Sequence, residues 1–252
     1  MAKWLDTQVL SKRQWTDQHF SLRLSAPGYD FRPGQFVRIG LPQHDGEVLA
    51  RPYSVVNPPG EDELEIFFNI VPQGPLSPQL ARLEPGDALK LSPRPNGFLT
   101  IDEVPFAETA CKHLWMLATG TGVGPFLSML QSAHSWQHFE RLVLVYSVRT
   151  AQQLAYRDLI EGITQQRAEQ FHFVPVVTRE RVAGALHQRL TTALETGELE
   201  QRAGLQISPQ TSHVMMCGNS TMIREAMELL GQRGLKKHLR RDPGHISTEK
   251  YH

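Results

Sequence analysis

Thiols are scarce: the 252 residues contain two cysteines, too few for a disulfide framework, a four-cysteine iron-sulfur cluster or a structural zinc held by thiolates. Redox chemistry in such a chain must rest on an organic cofactor. Long apolar runs are missing too, none approaching the ~18 residues that a membrane span needs. Net charge is nil, with 26 Lys plus Arg against 26 Asp plus Glu, so no overall field favours nucleic acid or a membrane surface as partner. Any charge recognition must be local. The opening Met1-Ala2-Lys3-Trp4-Leu5-Asp6 lacks the apolar core of a signal peptide, and with the thiol count this leads us to expect a cytoplasmic protein. What is present is a globular composition, 40% hydrophobic and 21% charged, on a length between one and two domains of ~150 residues each.

The first part of the chain reads as strands punctuated by Pro and Gly. Phe20, Leu22 and Leu24 alternate with Ser21, Arg23 and Ser25, and further strands fit Gln35 to Gly40, Arg51 to Val56, Leu64 to Val71 and Ala88 to Leu91. Turns fall at Pro33-Gly34, Pro58-Pro59-Gly60 and Pro85-Gly86-Asp87. Short strands at this spacing predict a small antiparallel barrel. From about Thr109 the pattern becomes apolar runs alternating with helical stretches: His113 to Ala118, Leu142 to Ser147, Phe171 to Val177 and Val214 to Cys217 read as buried parallel strands. Ile223, Ala226, Met227 and Leu230 mark the apolar face of a helix. The boundary is placed near residue 108, giving domains 1–108 and 109–252 with net charges of −4 and +4.

Thr119-Gly120-Thr121-Gly122-Val123-Gly124-Pro125 follows an apolar strand and opens a helix containing Phe126, Met129 and Leu130. Glycines admit a diphosphate close to the backbone, and a helix start offers unpaired N–H groups. Pro125 replaces the last glycine of the usual dinucleotide fingerprint, and a purely structural tight turn is the alternative. NAD-binding folds usually place an acid at the end of the next strand. Here the strand ends Tyr146-Ser147-Val148-Arg149, which suits a 2′-phosphate and hence NADP(H). Arg179 and Arg189 are candidates for the same pocket, solvated surface arginines being the alternative.

Arg51-Pro52-Tyr53-Ser54 combines a cation, a flat ring and a hydroxyl within one strand, the set a flavin needs for its diphosphate, its ring system and its reactive nitrogen. Gly74-Pro75-Leu76-Ser77-Pro78 reads as the start of a short helix capped by Ser77, a second anion site or an ordinary cap. Cys217-Gly218-Asn219-Ser220-Thr221-Met222 closes the last clear parallel strand, at the sheet edge where ligands bind. Its thiol either faces the reaction or fills a strand end. His134 and His138 have the spacing of a helical metal pair, but no carboxylate or third histidine lies nearby in sequence, so no metal site is expected.

Arg51-Pro52-Tyr53-Ser54, Gly74 to Ser77, Gly120 to Pro125, Cys217 to Met222 and the ending Thr248-Glu249-Lys250-Tyr251-His252 together resemble the ferredoxin-NADP reductase family, most closely its bacterial ferredoxin or flavodoxin reductase branch. The resemblance spans nearly the whole chain. It implies a six-stranded antiparallel FAD-binding β-barrel followed by an NADP-binding α/β domain with a parallel sheet, flavin and nicotinamide meeting at the cleft. It implies that Arg51, Pro52, Tyr53 and Ser54 bind FAD, that the strand carrying Phe67, Asn69, Ile70 and Val71 lines it, and that Gly74, Leu76 and Ser77 hold its phosphates. Thr119, Gly120, Thr121 and Gly122 would hold the NADP diphosphate, with Arg149, Arg179 and Arg189 around the 2′-phosphate. Ser54, Cys217 and Glu249 match the positions that surround hydride transfer.

Tyr251 matches the terminal aromatic that covers the flavin and gates the nicotinamide. Relatives often end on a large aromatic stacked on the FAD adenine, and here that place falls to His252. The implied activity is hydride transfer between NADPH and FAD with single electrons passed to ferredoxin or flavodoxin, by a monomer. An acidic carrier would dock on Arg233, Lys236, Lys237, Arg240 and Arg241. The alternatives are the same scaffold reducing free flavin and a non-catalytic nucleotide-binding module.

Overall fold

Strand-forming residues between Pro/Gly turns give six strands in the first part of the chain: β1 (Leu5–Thr16), β2 (His19–Ser25), β3 (Phe36–Pro42), β4 (Val48–Ser54), β5 (Glu63–Asn69) and β6 (Ala88–Leu91), with the one-turn helix α1 (Ser77–Leu80) between the last two. These ranges come from a computed structural model that describes residues 4–107, 109 and 111–251, the last by its backbone alone. The strands pair antiparallel in the order β4-β3-β6-β1-β2-β5. Just past β4 the chain bridges Val55 to Ile66 of β5, and the Val56 N–H donates to the Glu65 carbonyl at 2.9 Å. The sheet thereby closes into a barrel, which leaves few strand edges unpaired. Leu22 and Leu24 of β2 meet Val37, Ile39, Leu64, Ile66, Leu89 and Leu91 inside it, each such side chain contributing about 1.5–3 kcal/mol on full burial. β1 escapes the sequence pattern because its burial is sparse: of its twelve residues only Thr7 and Val9 are buried.

The remaining strands are β7 (His113–Thr119), β8 (Arg141–Val148), β9 (Phe171–Val177), β10 (Ser212–Asn219) and β11 (Ile246–Tyr251). They form a parallel sheet in the order β11-β10-β7-β8-β9. The helices of this part are α2 (Gly124–Leu130), α3 (Ala133–His138), α4 (Arg157–Gln166), α5 (Leu190–Glu195), α6 (Glu198–Ala203) and α7 (Ser220–Gln232). Trp115, Leu117, Val143, Val145, Val214, Met216 and Ile246 bury one sheet face against apolar residues of α5, α6 and α7. Strand order reverses between β7 and β10, and such a switch point leaves a crevice at the carboxyl ends of the two strands. The sequence pattern missed β11, which carries the chain ending as a full edge strand.

The chain forms two compact units: one runs to Thr100 and includes Gly124–Ser132, the other comprises Ile101–Val123 and Ala133 onward. The division therefore precedes the expected residue 108. Glu103 forms an ion pair with Arg240, and the Phe106 ring stacks on His138 at 4.9 Å, tying the intervening segment to the second unit. Helix α2 groups with the first because the Ser128 hydroxyl donates to the Asn57 carbonyl at 2.7 Å and the Gln131 amide to Val56 at 2.9 Å.

Candidate functional site

In the first unit, pairing with β3 sets Arg51 opposite Ile39 and Tyr53 opposite Val37, so the two side chains share a face of β4. Arg51 and Pro52 are exposed, and Arg51 Nη1 donates to the Ala50 carbonyl at 2.8 Å. Tyr53 is half-buried with its ring edge-on to Phe68 at 5.9 Å. Burial pushes its phenol up to about 12, against an opposing pull from Arg51, so the hydroxyl stays a neutral donor at physiological pH. Ser54 is buried at the strand end.

Phe67 is buried on β5, beside Trp15 at 6.2 Å and His19 at 6.1 Å. Asn69 is exposed, Ile70 half-buried, and Val71 exposed at 49%, unusually open for its type. The next loop is tight: the Gly74 N–H donates to the Val71 carbonyl at 2.8 Å. Here the structure corrects the expected cap. Leu76, not Ser77, is the residue before α1, and no side chain caps that helix. Ser77 is the first helical residue, and its Oγ accepts from the Val71 N–H at 2.9 Å. The hydroxyl pins the loop, and one helical turn has too few aligned dipoles for a strong anion site. Leu76 is buried in the barrel core.

In the second unit the Thr119–Gly122 loop and the end of β10 lie together at the switch point. Thr119 Oγ1 accepts from the Asn219 N–H at 2.8 Å. A Cβ on Gly122 would stand 2.4 Å from the Cys217 carbonyl oxygen, and one on Gly218 would stand 2.2 Å from Thr119 Oγ1. Only glycine lets these backbones approach so closely. Gly120 to Val123 form a 3₁₀ turn, and the helix carrying Phe126, Met129 and Leu130 begins after it at Gly124. Thr121 is buried; Gly120 and Thr119 are partly open. Asn219, which sequence reasoning passed over, caps α7: its Oδ1 accepts from the N–H groups of Thr221 at 2.9 Å and Met222 at 3.1 Å. An Asn just before an apolar-periodic helix was the available signal.

Arg149 and Arg179 follow adjacent strands and meet through their backbones, the Arg179 N–H donating to the Arg149 carbonyl at 2.8 Å. Gln153 Oε1 accepts from the Arg149 N–H at 3.1 Å. Both side chains are exposed. Arg189 precedes α5 and is already engaged, with Nη2 3.5 Å from the Glu225 carboxylate of α7, which also accepts from the Thr191 hydroxyl at 3.0 Å.

The parallel register pairs Cys217 of β10 with Glu249 of β11, and Asn219 with Tyr251. Cys217 is fully buried and Glu249 half-buried, so residues separated by a helix and a long loop become neighbours. The side chain of Tyr251 and the whole of His252 lie outside the described residues. The basic stretch is less uniform than its sequence: Arg233 is ion-paired with Glu200 at 2.6 Å and Arg240 with Glu103 at 2.8 Å, while Lys236, Lys237 and Arg241 are exposed. His134 does have a carboxylate nearby, Asp102 Oδ1 at 2.9 Å, brought by the fold. Even so, among the described residues no group of three or more His, Cys, Asp or Glu could hold a metal ion. No helix among them is long and apolar enough to cross a membrane.

Residues 8–98 match the family described as the oxidoreductase FAD-binding domain and residues 116–228 that described as the oxidoreductase NAD-binding domain. With a closed antiparallel barrel followed by a parallel sheet, the class is that of two-domain flavin and pyridine-nucleotide oxidoreductases. The flavodoxin/ferredoxin-NADP reductase of Escherichia coli (strain K12) is 44% identical over 252 residues, covering 100% of each chain. The ferredoxin-NADP reductase of Pseudomonas aeruginosa is 38% identical over 245 residues, 94% of this chain and 92% of that protein. A crystal structure of a ferredoxin NADP+ reductase from Neisseria gonorrhoeae with bound FAD and NADP superimposes with a TM-score of 0.92 at 31% identity, covering 99% of each chain. The chain belongs to the ferredoxin-NADP reductase family.

Proposed function

We infer that this protein is a ferredoxin/flavodoxin-NADP reductase, transferring a hydride between NADPH and FAD and single electrons between FAD and ferredoxin or flavodoxin. The observation that carries the reading is the switch point itself, where the Thr119–Gly122 loop and the Cys217–Asn219 strand end approach through Gly122 and Gly218, in a chain whose other unit displays Arg51 and Tyr53 on one strand face. The residues fit the cofactors. Arg51 is an exposed cation suited to a diphosphate, Tyr53 a neutral ring with one partner at its edge, and Val71 an apolar side chain left open. Bound FAD would supply the conversion between two-electron and one-electron transfer.

The protein's own work is positioning. Arg51 holds the FAD diphosphate as a charge-assisted donor; Tyr53 stacks on the ring system and Ser54 offers a hydroxyl near its reactive nitrogen. Phe67, Asn69, Ile70 and Val71 line the flavin, and the loop that turns at Gly74 presents the backbone N–H groups of Leu76 and Ser77 to phosphate. Thr119, Gly120, Thr121 and Gly122 seat the NADP diphosphate. Arg149 and Arg179, with Arg189 once released from Glu225, hold the 2′-phosphate. Cys217 and Glu249 orient the nicotinamide and exclude water, and hydride transfer needs no general base. Tyr251, placed beside Asn219 at the end of the sheet by its backbone register, would cover the flavin, and His252 the adenine.

We further propose that the protein is a cytoplasmic monomer with no affinity for nucleic acid. The free thiols of Cys111 and Cys217 support a reducing compartment. Exposed Lys236, Lys237 and Arg241 would carry most of the attraction for an acidic carrier. The test is an absorption spectrum of the purified protein, before and after NADPH is added without oxygen. A flavin spectrum that NADPH bleaches is expected; a colourless protein after incubation with FAD would overturn the reading.

A further inference from the structure

The strand that brings Glu249 to Cys217 lies at the sheet edge and pairs with β10 alone among the strands of the sheet. Its first residue is clasped by residues 236–238: the Ile246 carbonyl accepts from the His238 N–H at 2.7 Å, and the Ile246 N–H donates to the Lys236 carbonyl at 3.0 Å. Beyond Ile246 the strand needs another anchor, because Ser247, Thr248, Glu249 and Lys250 offer no apolar side chain whose burial would fix the register. A slip of one residue turns every side chain to the opposite face and would set Thr248 or Lys250 beside Cys217.

The faces here are clearly divided. Val214, Met216 and Ile246 belong to the core packed by α5, α6 and α7. On the opposite face of β10 lie His213, Met215 and Cys217, and the parallel register sets Ser247 beside Met215 and Glu249 beside Cys217. His213 leans diagonally across this face, with Nε2 2.9 Å from Ser247 Oγ and both groups buried. Its other nitrogen, Nδ1, has no hydrogen-bond partner among the described residues, so Ser247 is the ring's one polar tether among them. A buried histidine held in this way, two positions down the same face from Cys217 with Met215 between them, is more than the core requires. A leucine would fill the space without leaving a polar atom unsatisfied.

We propose that His213 and Ser247 are positioning residues: their hydrogen bond locks β11 in the register that places Glu249 beside Cys217, and so sets the geometry in which nicotinamide is presented for hydride transfer. Neither residue touches the nucleotide; both act through Glu249. The proposal rests on the reading that Cys217 and Glu249 line the hydride-transfer site. Its consequence is a division of effects, because the arginines and the glycine loop that bind the nucleotide belong to other strands and loops. Loss of the tether should lower the rate of hydride transfer and leave nucleotide affinity nearly unchanged.

The experiment uses the FAD-loaded enzyme and Ser247→Ala, Ser247→Thr, His213→Phe and Glu249→Ala. Flavin reduction is followed after anaerobic mixing with saturating NADPH, alongside KM, FAD content and thermal midpoint. Ser247→Ala and His213→Phe, which removes Nε2 but keeps a ring in place, should each slow reduction about tenfold, the scale of one lost hydrogen bond expressed in a rate. KM and FAD content should stay near wild type, and Ser247→Thr, which keeps the hydroxyl, should retain the wild-type rate. If Glu249→Ala slows reduction while Ser247→Ala and His213→Phe alter only the thermal midpoint, the positioning role is overturned and the site reading stands. If Glu249→Ala leaves the rate unchanged, the site reading falls and the positioning role falls with it. A Ser247→Thr enzyme as slow as Ser247→Ala also overturns the proposal, since the hydroxyl would then not be the determinant.

Discussion

Replacing Arg149 by alanine should weaken NADPH about tenfold while sparing NADH. The loop does not depend on the guanidinium for its shape: the Arg149 carbonyl accepts from the Arg179 N–H at 2.8 Å and its N–H donates to Gln153 Oε1 at 3.1 Å, and both bonds survive the substitution. What is lost is one charge-assisted hydrogen bond to a phosphate dianion, worth about 1.5–3 kcal/mol. Because Arg149 is exposed, solvent screening favours the lower end of that range, and about 1.4 kcal/mol corresponds to tenfold in affinity. Arg189 should matter less, since it must first leave the Glu225 carboxylate 3.5 Å away. Glu225→Gln removes that competitor and should tighten NADPH. Dissociation constants for NADPH and NADH, measured on the FAD-loaded enzyme at two salt concentrations, decide the matter. Equal losses for both nucleotides in Arg149→Ala would move Arg149 out of the 2′-phosphate pocket and refute the argument.

Gly122→Ala should lower both stability and NADPH affinity, because its Cβ would lie 2.4 Å from the Cys217 carbonyl oxygen; a wild-type thermal midpoint with unchanged affinity would contradict the close approach. Burial, reinforced by His238 and His245, lowers the His213 ring to about 3 from 6.5. Below pH 6.5 the unfolded chain therefore binds the extra proton, and stability, complete above that pH, should fall on acidification by up to about 1.4 kcal/mol per pH unit. Denaturant titrations between about pH 7 and 5 should show that slope, and His213→Phe should reduce it, the rings of His19, His113, His172 and His245, also lowered by burial, supplying the remainder. Lys236→Glu should slow reduction of an acidic carrier severalfold and weaken its salt dependence, with flavin reduction by NADPH untouched; carrier kinetics indifferent to both would leave Lys236 as an ordinary solvated side chain. FAD should copurify and resist exchange for FMN, which lacks the diphosphate assigned to Arg51, and equal affinities would count against that role.

Much of the fold was legible because strand period and turn chemistry are local. Alternation at Phe20, Leu22 and Leu24, unbroken apolar runs such as Phe171 to Val177, and Pro/Gly turns between them announce an antiparallel barrel followed by a buried parallel sheet. The glycine loop after β7 and the arginine after β8 were equally plain, since each is a short segment whose chemistry does not depend on distant neighbours. β1 was not, because a strand with two buried positions in twelve carries almost no periodic signal. Nor was β11, whose Ser247, Thr248 and Glu249 become strand only by pairing with β10.

By itself, then, the sequence determined the class of each unit and singled out the segments to which we assign chemistry as a proposal: Arg51 to Ser54, Thr119 to Gly122, Arg149 and Cys217. Tertiary structure alone decided which groups become neighbours. It set Cys217 beside Glu249, gave Arg189 to Glu225 and Arg240 to Glu103, brought Asp102 to His134, and turned Ser77 from a helix cap into a pin for the Val71 backbone. The reason is physical. Periodicity and turn preference are properties of a few consecutive residues. The partner and register of a parallel strand, or of an ion pair across many residues, depend on which apolar faces must be buried together once the whole chain has collapsed.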